Sequence, residues 1–257
     1  METPETGTES SVLKFQYANA PTVSIVVPAL NEAERIGSSL QKIFSFLNRN
    51  ALSAEVIVVD DGSVDRTSEI AMSFKNENLQ ILSNKVNKGK GYSVRKGFLQ
   101  SKGTWVLFTD SDLSAPIEEV ITLLRVAMSG ADVVIGSRAI DRSKIERHQP
   151  WPREFGGIVY NWAVRLILRI AVKDTQCGLK LFHRKRMKPI FQKQTIFGFG
   201  FDPELLFLAK KMNFEIREIP VSWSHNDGSK VNFLNDGLRM ALDLIRVRIN
   251  WTMGKYR

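Results

Sequence analysis

Trp105-Val106-Leu107-Phe108-Thr109-Asp110-Ser111-Asp112 is an apolar run that ends in two carboxylates one residue apart. In extended backbone, residues i and i+2 point to the same face, so Asp110 and Asp112 leave the strand's carboxyl end on one side. Like charges that close need a cation between them. A hard divalent ion such as Mg²⁺ or Mn²⁺ takes oxygen ligands and is commonly bound by one or two carboxylates together with substrate phosphates. The implied substrate is a nucleoside diphosphate. A solvated turn after a strand also carries paired Asp, so the motif takes its meaning from its surroundings.

Two further strands point the same way. Ala54-Glu55-Val56-Ile57-Val58-Val59 is a short β-branched run of the kind buried on both faces of a parallel sheet, and it ends in Asp60-Asp61-Gly62-Ser63. Val23-Ser24-Ile25-Val26-Val27 runs into Pro28-Ala29-Leu30-Asn31-Glu32, where a helical pattern opens. Three strands thus deliver polar residues to one sheet edge. In open α/β sheets, ligands bind outside the carboxyl ends of the strands.

Periodicity extends the pattern. Strands near 22–28, 55–60, 78–83, 105–109 and 132–136 alternate with helices near 32–48, 64–75, 90–101 and 116–128, as in a doubly wound parallel sheet. Beyond Arg138 the expectation is a polar loop over about 139–156, an amphipathic run from Ile158 to Ala171, strands near 179–183 and 215–223, and a closing helix over about 233–250. Residues 1–20 read as a disordered leader, 21–252 as one α/β domain and 253–257 as a tail.

The 257 residues, 43% hydrophobic and 25% charged, suffice for one sizeable core. A single cysteine, Cys177, excludes an intrachain disulfide and a cysteine-built zinc site, which suits a reducing cytosol. No segment approaches the roughly 20 apolar residues that span a bilayer. The net charge of +9 predicts attraction to anionic surfaces or phosphorylated ligands. The excess is local: residues 138–169 hold Arg138, Arg142, Lys144, Arg147, Arg153, Arg165 and Arg169 against Asp141, Glu146 and Glu154. The acidic strand ends argue against nucleic acid as the partner.

Eight stretches in order carry a resemblance. They are Val26–Glu32, Val58–Ser63, Asn87–Gly91, Thr109–Pro116, Ile135–Arg138, Lys173–Phe182, Phe201–Leu206 and Gly228–Lys230. The chain resembles glycosyltransferase family 2, and within it the dolichyl-phosphate or polyprenyl-phosphate β-glucosyltransferases. The resemblance implies the GT-A fold, a single Rossmann-like, mostly parallel twisted sheet flanked by helices, with residues 22–138 binding the nucleotide-sugar and 139–252 the acceptor. It implies an inverting, metal-dependent transfer of a hexose, glucose from UDP-glucose, to a polyprenyl or dolichyl phosphate. Mg²⁺ or Mn²⁺ on Asp110 and Asp112 would be the cofactor.

By the same resemblance, Pro28, Leu30, Glu32, Asp60, Asp61, Lys90, Asp110, Ser111 and Lys230 bind the donor, with Lys230 reaching the pyrophosphate from a loop. From the residues alone, Asp60-Asp61-Gly62-Ser63 also suits a helix cap. The stretch holding Lys88, Lys90 and Arg95 also suits a solvated turn. His225, beside Trp223, is open between metal ligand and packing residue.

The acceptor side turns on acid–base chemistry. A sugar hydroxyl needs a general base, whereas a phosphate monoester is already an anionic nucleophile near neutrality. Arg138 is the candidate to clamp that phosphate bidentately, with Arg147 and Arg153 as further contacts. Asp112, Arg138 and Asp202 make up the catalytic set. Asp202 is open between a base, a donor-sugar contact and an N-cap ahead of Pro203. The amphipathic stretches at 157–170 and 233–250 suit either core helices or helices lying in a membrane interface. The expected location is the cytoplasm, peripheral to the cytoplasmic face of a membrane. Alternatives are a hydroxyl acceptor with Asp202 as base, GDP-mannose as donor, and a non-catalytic nucleotide-sugar or nucleic-acid binding module.

Overall fold

The computed structural model describes residues 22–226 and 233–256. The expected leader and the Gly228-Ser229-Lys230 motif lie outside the described residues. Alternation proceeds as β1 (Val23–Ala29), α1 (Ile36–Arg49), β2 (Ala54–Asp60), α2 (Thr67–Ser73), β3 (Leu79–Ser83), α3 (Lys90–Gln100), β4 (Trp105–Thr109), α4 (Val120–Met128) and β5 (Val133–Ser137). There follow β6 (Ile145–Arg147), α5 (Trp151–Leu168), β7 (Leu179–His183), α6 (Arg184–Lys193), α7 (Phe201–Lys211), β8 (Ile216–Pro220), β9 (Trp223–Ser224) and α8 (Phe233–Thr252).

Seven of these strands form one sheet in the order β3-β2-β1-β4-β7-β5-β8. Each pairs in parallel with its neighbours except β7, which is antiparallel to both β4 and β5. The chain steps outward from β1 through β2 to β3, then returns to place β4 on the other side of β1. This reversal opens a crevice at the carboxyl ends of β1 and β4, where α/β sheets bind ligands. Because β7 runs the other way, the loop that precedes it reaches the same edge.

The sheet is covered on both faces, which explains runs that are apolar at successive positions, such as Ile25–Val27, Val56–Val59 and Trp105–Phe108. Val23, Ile25 and Val27 pack with Ile36, Leu40 and Leu107 on one side, while Val26, Ile57, Val59 and Phe108 pack with Val94, Phe98 and Phe201 on the other. Gly97 lets α3 lie directly on the second face. A Cβ there would overlap the Val26 methyls and stand 3.1 Å from Val59 Cγ2.

Three expectations need correction. The polar loop ends at Pro150, because Pro150 is the N-cap of α5 and Pro152 occupies the first turn, where a missing N–H costs nothing. The strand expected over 215–223 stops at Pro220, and the chain resumes as β9, paired with β6 in a separate two-stranded ribbon. The helix expected to begin near Pro203 begins at Phe201 with Gly200 as its N-cap, so Asp202 lies inside the first turn and is not the cap.

Gly97→Ala should destabilise the protein by about 1–3 kcal/mol through overpacking, although alanine favours helix by about 1 kcal/mol over glycine. Urea unfolding checks this: a midpoint at or above that of the wild type would refute the close approach of α3 to β1.

Candidate active site

The crevice is a cavity of about 730 Å³. At its floor, Asp110 follows directly from β4, and its N–H donates to Gly178 O at 3.2 Å. Gly178 has to be a glycine, since any Cβ would collide with the Asp110 carboxylate. Leu113 turns the chain through φ +48°, and Asp112 Oδ1 accepts the Ser114 N–H at 2.9 Å. Both carboxylates therefore face one space. Burial, then the neighbouring Asp110, pushes the Asp112 carboxyl above the usual aspartate range.

Lys90, the first residue of α3, supplies the positive charge that this pair requires. Its ammonium lies 2.6 Å from Asp110 Oδ1. Burial works against that charge, but Asp110, then Asp202 and Asp112, outweigh it and raise the lysine's pKa. The donor set suits a hard cation: two carboxylates on one wall, destabilised by each other's charge, with an ammonium already drawn in. Among the described residues no three His, Cys, Asp or Glu side chains converge on a common point. Asp110 and Asp112 would hold the ion, and oxygens of a bound ligand would complete its shell.

The carboxyl end of β2 divides the Asp60-Asp61 pair. Asp60 Oδ1 accepts Ser63 N–H at 3.0 Å and Ser63 O–H at 2.5 Å, a local turn, and the stretch does not cap the next helix as it also suited, because the N-cap of α2 is Arg66. Asp61 lines the cavity and organises the approach to Lys90: it accepts from Asn84 Nδ2 at 2.7 Å, Lys88 N at 3.0 Å and Gly89 N at 2.8 Å. Pro28, Leu30, Glu32, Lys90 and Ser111 also line the cavity. Glu32 Oε2 pairs with Arg35 at 2.8 Å. Lys88 instead lies over the Tyr92 ring, and Arg95 donates to Phe191 O at 2.7 Å, tying α3 to α6.

Arg138 leaves the end of β5 and meets Asp174 in a two-pronged pair, Nε to Oδ2 at 2.6 Å and Nη2 to Oδ1 at 2.8 Å. Burial opposes ionisation of Asp174, but Arg138 prevails and holds its pKa below the usual range. The fork expected to grip a phosphate thus grips Asp174, while the guanidinium lies over Trp223 at 5.2 Å and still lines the cavity. Arg153, in the first turn of α5, is on the cavity wall. Arg147 stands behind it, donating to His225 O at 3.4 Å. His225 lines the cavity, its ring stacked on Trp223 with centroids 6.1 Å apart. Asp202 is 4% exposed and lies beneath the floor, with Lys180 Nζ 2.7 Å from its Oδ1.

Two wall residues carry a signal that their sequence positions concealed. Gln176 Nε2 and the Tyr160 hydroxyl are buried polar groups with no protein partner. Buried polar groups are nearly always hydrogen-bonded, so orphans on a cavity wall mark where a hydroxyl-rich ligand makes its bonds. Gln176 falls within Lys173–Phe182, one of the eight stretches that carry the resemblance. Tyr160 sat inside an amphipathic run, and nothing in its spacing separated it from packing residues.

The glycosyl transferase family 2 sequence model matches residues 24–191. The dolichyl-phosphate beta-glucosyltransferase of Saccharomyces cerevisiae is 36% identical over 262 residues, covering 91% of this chain and 76% of the relative. The Dictyostelium discoideum protein of the same name is 32% identical over 251 residues, with 91% and 76% covered. Among solved structures, glucosyl-3-phosphoglycerate synthase of Mycobacterium tuberculosis, in complex with Mn²⁺, UDP and glucosyl-3-phosphoglycerate, superposes with a TM-score of 0.68. It is 21% identical, with 97% of this chain and 86% of that one covered; the same enzyme is also solved with Mn²⁺ and UDP-glucose. A crevice at the β1/β4 reversal with paired carboxylates on its floor, and a family match over most of the same residues, identify the chain as a glycosyltransferase of family 2 with the GT-A fold.

Proposed function

We propose that the chain transfers glucose from UDP-glucose to dolichyl phosphate, with inversion at the anomeric carbon and with Mg²⁺ or Mn²⁺ held by Asp110 and Asp112. The names of the curated relatives support glucose and dolichyl phosphate, and the ligands of the M. tuberculosis enzyme support UDP and a divalent ion. The observation that carries the reading is the floor itself, where Asp110, Asp112 and Lys90 meet. A bound divalent ion would neutralise the charge that grows on the leaving diphosphate. Lys90 adds a second cation to the same end. Asp61 shapes the turn that presents Lys90, and Gln176 and Tyr160 offer hydrogen bonds to the sugar.

One displacement suffices. An oxygen of the acceptor phosphate attacks the anomeric carbon as its bond to the diphosphate breaks on the opposite face, and UDP departs. Because the nucleophile is already anionic, no base is needed. That agrees with Asp202 lying under the floor against Lys180. Arg153 and the outer edge of Arg138 are the cations nearest the acceptor end of the wall.

Peripheral docking on a membrane, at its cytoplasmic face, belongs to the same proposal. Among the described residues no helix is long and apolar enough to cross a membrane. Yet α5 exposes Trp151, Phe155, Ile158, Trp162 and Leu166 at helical spacing, and α8 exposes Leu238, Leu242, Ile245 and Ile249. The two helices pack side by side, with exposed Arg165, Arg169, Arg239 and Arg246 beside the stripes. Apolar stripes flanked by arginine suit the headgroup boundary of an anionic bilayer.

Mass spectrometry of lipids after incubation with Mn²⁺, UDP-glucose and dolichyl phosphate should find a glucosyl phospholipid. Asp112→Asn should lower its formation by roughly 100-fold or more; equal product from this variant would remove Asp112 from the reaction. Mn²⁺ affinity, followed by paramagnetic resonance, should hold near neutrality and fall as the pH drops through the raised range of Asp112. Protons then compete from a higher pH than at an ordinary aspartate of about 3.9. Affinity unchanged to pH 4 would exclude Asp112 as a ligand. Trp162→Ser and Leu242→Ser should each weaken binding to anionic vesicles by about 10- to 150-fold, from about 1.5–3 kcal/mol of lost burial, with UDP affinity unaltered; undiminished vesicle binding would reject the docking face.

A further inference from the structure

Beneath the cavity floor, β7 carries a lysine whose neighbours on the same sheet face are Phe108, Ile135 and Phe182. Lys180 is 1% exposed, and its ammonium lies 2.6 Å from Cys177 O and 2.7 Å from Asp202 Oδ1. A buried ion pair is weak evidence for stability, because apolar residues of similar volume do as well or better. The fold alone therefore does not account for this pair.

Its position next to the site does. The Phe108 ring has Lys180 Nζ 5.5 Å from its centroid and Lys90 Nζ 5.2 Å from it. After Asp110, Asp202 is the carboxylate that acts most on the Lys90 ammonium. Charges thus alternate from the floor downward as Asp110, Lys90, Asp202 and Lys180.

We propose that Lys180 is a positioning residue for the donor diphosphate: it anchors Asp202, and Asp202 keeps the Lys90 ammonium over Phe108 when Asp110 turns to a cation. The inference rests on the donor reading above. In this structure Lys90 contacts Asp110 directly, and a divalent ion on Asp110 competes with that contact. A lysine side chain released into an open cavity is costly to order again on binding. Asp202, tethered from below and out of reach of the cavity, holds Lys90 in place of Asp110.

The test removes the pair together, as Lys180→Met with Asp202→Asn, so that no buried charge is left alone. UDP with Mn²⁺ is titrated calorimetrically into the wild type, this double variant, Lys90→Met and the triple variant. The double variant should bind UDP about tenfold more weakly while melting near the wild-type temperature. Lys90→Met should lose a similar factor, and the triple variant no more than Lys90→Met alone, as for groups acting as one unit. Wild-type affinity in the double variant, or losses that multiply in the triple, overturns the positioning role. If the double variant does not fold, Asp202→Asn alone carries the same test, since the amide keeps the shape of the carboxylate and removes the charge that holds Lys90. A wild type that binds no UDP overturns the donor reading itself and this inference with it; a wild type that binds UDP leaves Lys180 alone at issue.

Discussion

Repulsion between two carboxylates at the end of one strand is the constraint around which the rest of this site is arranged. Asp110 and Asp112 sit where the sheet reverses direction, in a crevice too buried for water to screen them fully. Three nearby cations are each held by a carboxylate. Lys90 contacts Asp110, Lys180 contacts Asp202, and Arg138 contacts Asp174. Of Asp110, Asp112, Asp174 and Asp202, Asp112 alone has no ion pair among the described residues, and a carboxylate left beside a second one suits a hard cation.

Much of the architecture was legible because its signals are local. The β-branched runs that become β1, β2, β4 and β5 are apolar at consecutive positions, and both faces of the sheet are covered. The acidic strand ends follow the same short-range logic. What escaped was set by contacts distant in sequence. Nothing near Arg138 announces that its guanidinium will close on a carboxylate 36 residues away, and nothing in Leu179-Lys180-Leu181-Phe182 distinguishes a buried lysine from one on an exposed strand edge. The Asp-Pro-Glu pattern at 202–204 imitates a helix start two residues late, because Gly200 already fills the cap.

The antiparallel strand β7 resolves why residues 174–178 reach a site otherwise built from parallel strand ends. A parallel strand in that slot would present its carboxyl end here and send its preceding loop to the far side. Reversed, it brings Asp174 to Arg138, Gln176 to the wall and Gly178 against Asp110. One inverted strand thereby supplies the partner of the basic clamp, a candidate sugar contact and the backing of the carboxylate floor.

Helices α5 and α8 each have two working sides. Gly157, Tyr160 and Ala163 of α5 and Gly237, Met240 and Ala241 of α8 line the cavity, while the opposite sides of both helices carry the exposed apolar stripes. A helix with its side chains is about 10–12 Å thick, so the reaction chamber and the outward stripe are separated by a single helix. On the proposed docking, the chamber floats roughly one headgroup layer above the hydrocarbon. A tethered phosphate would rise only that height to react, and its tail would never have to leave the bilayer.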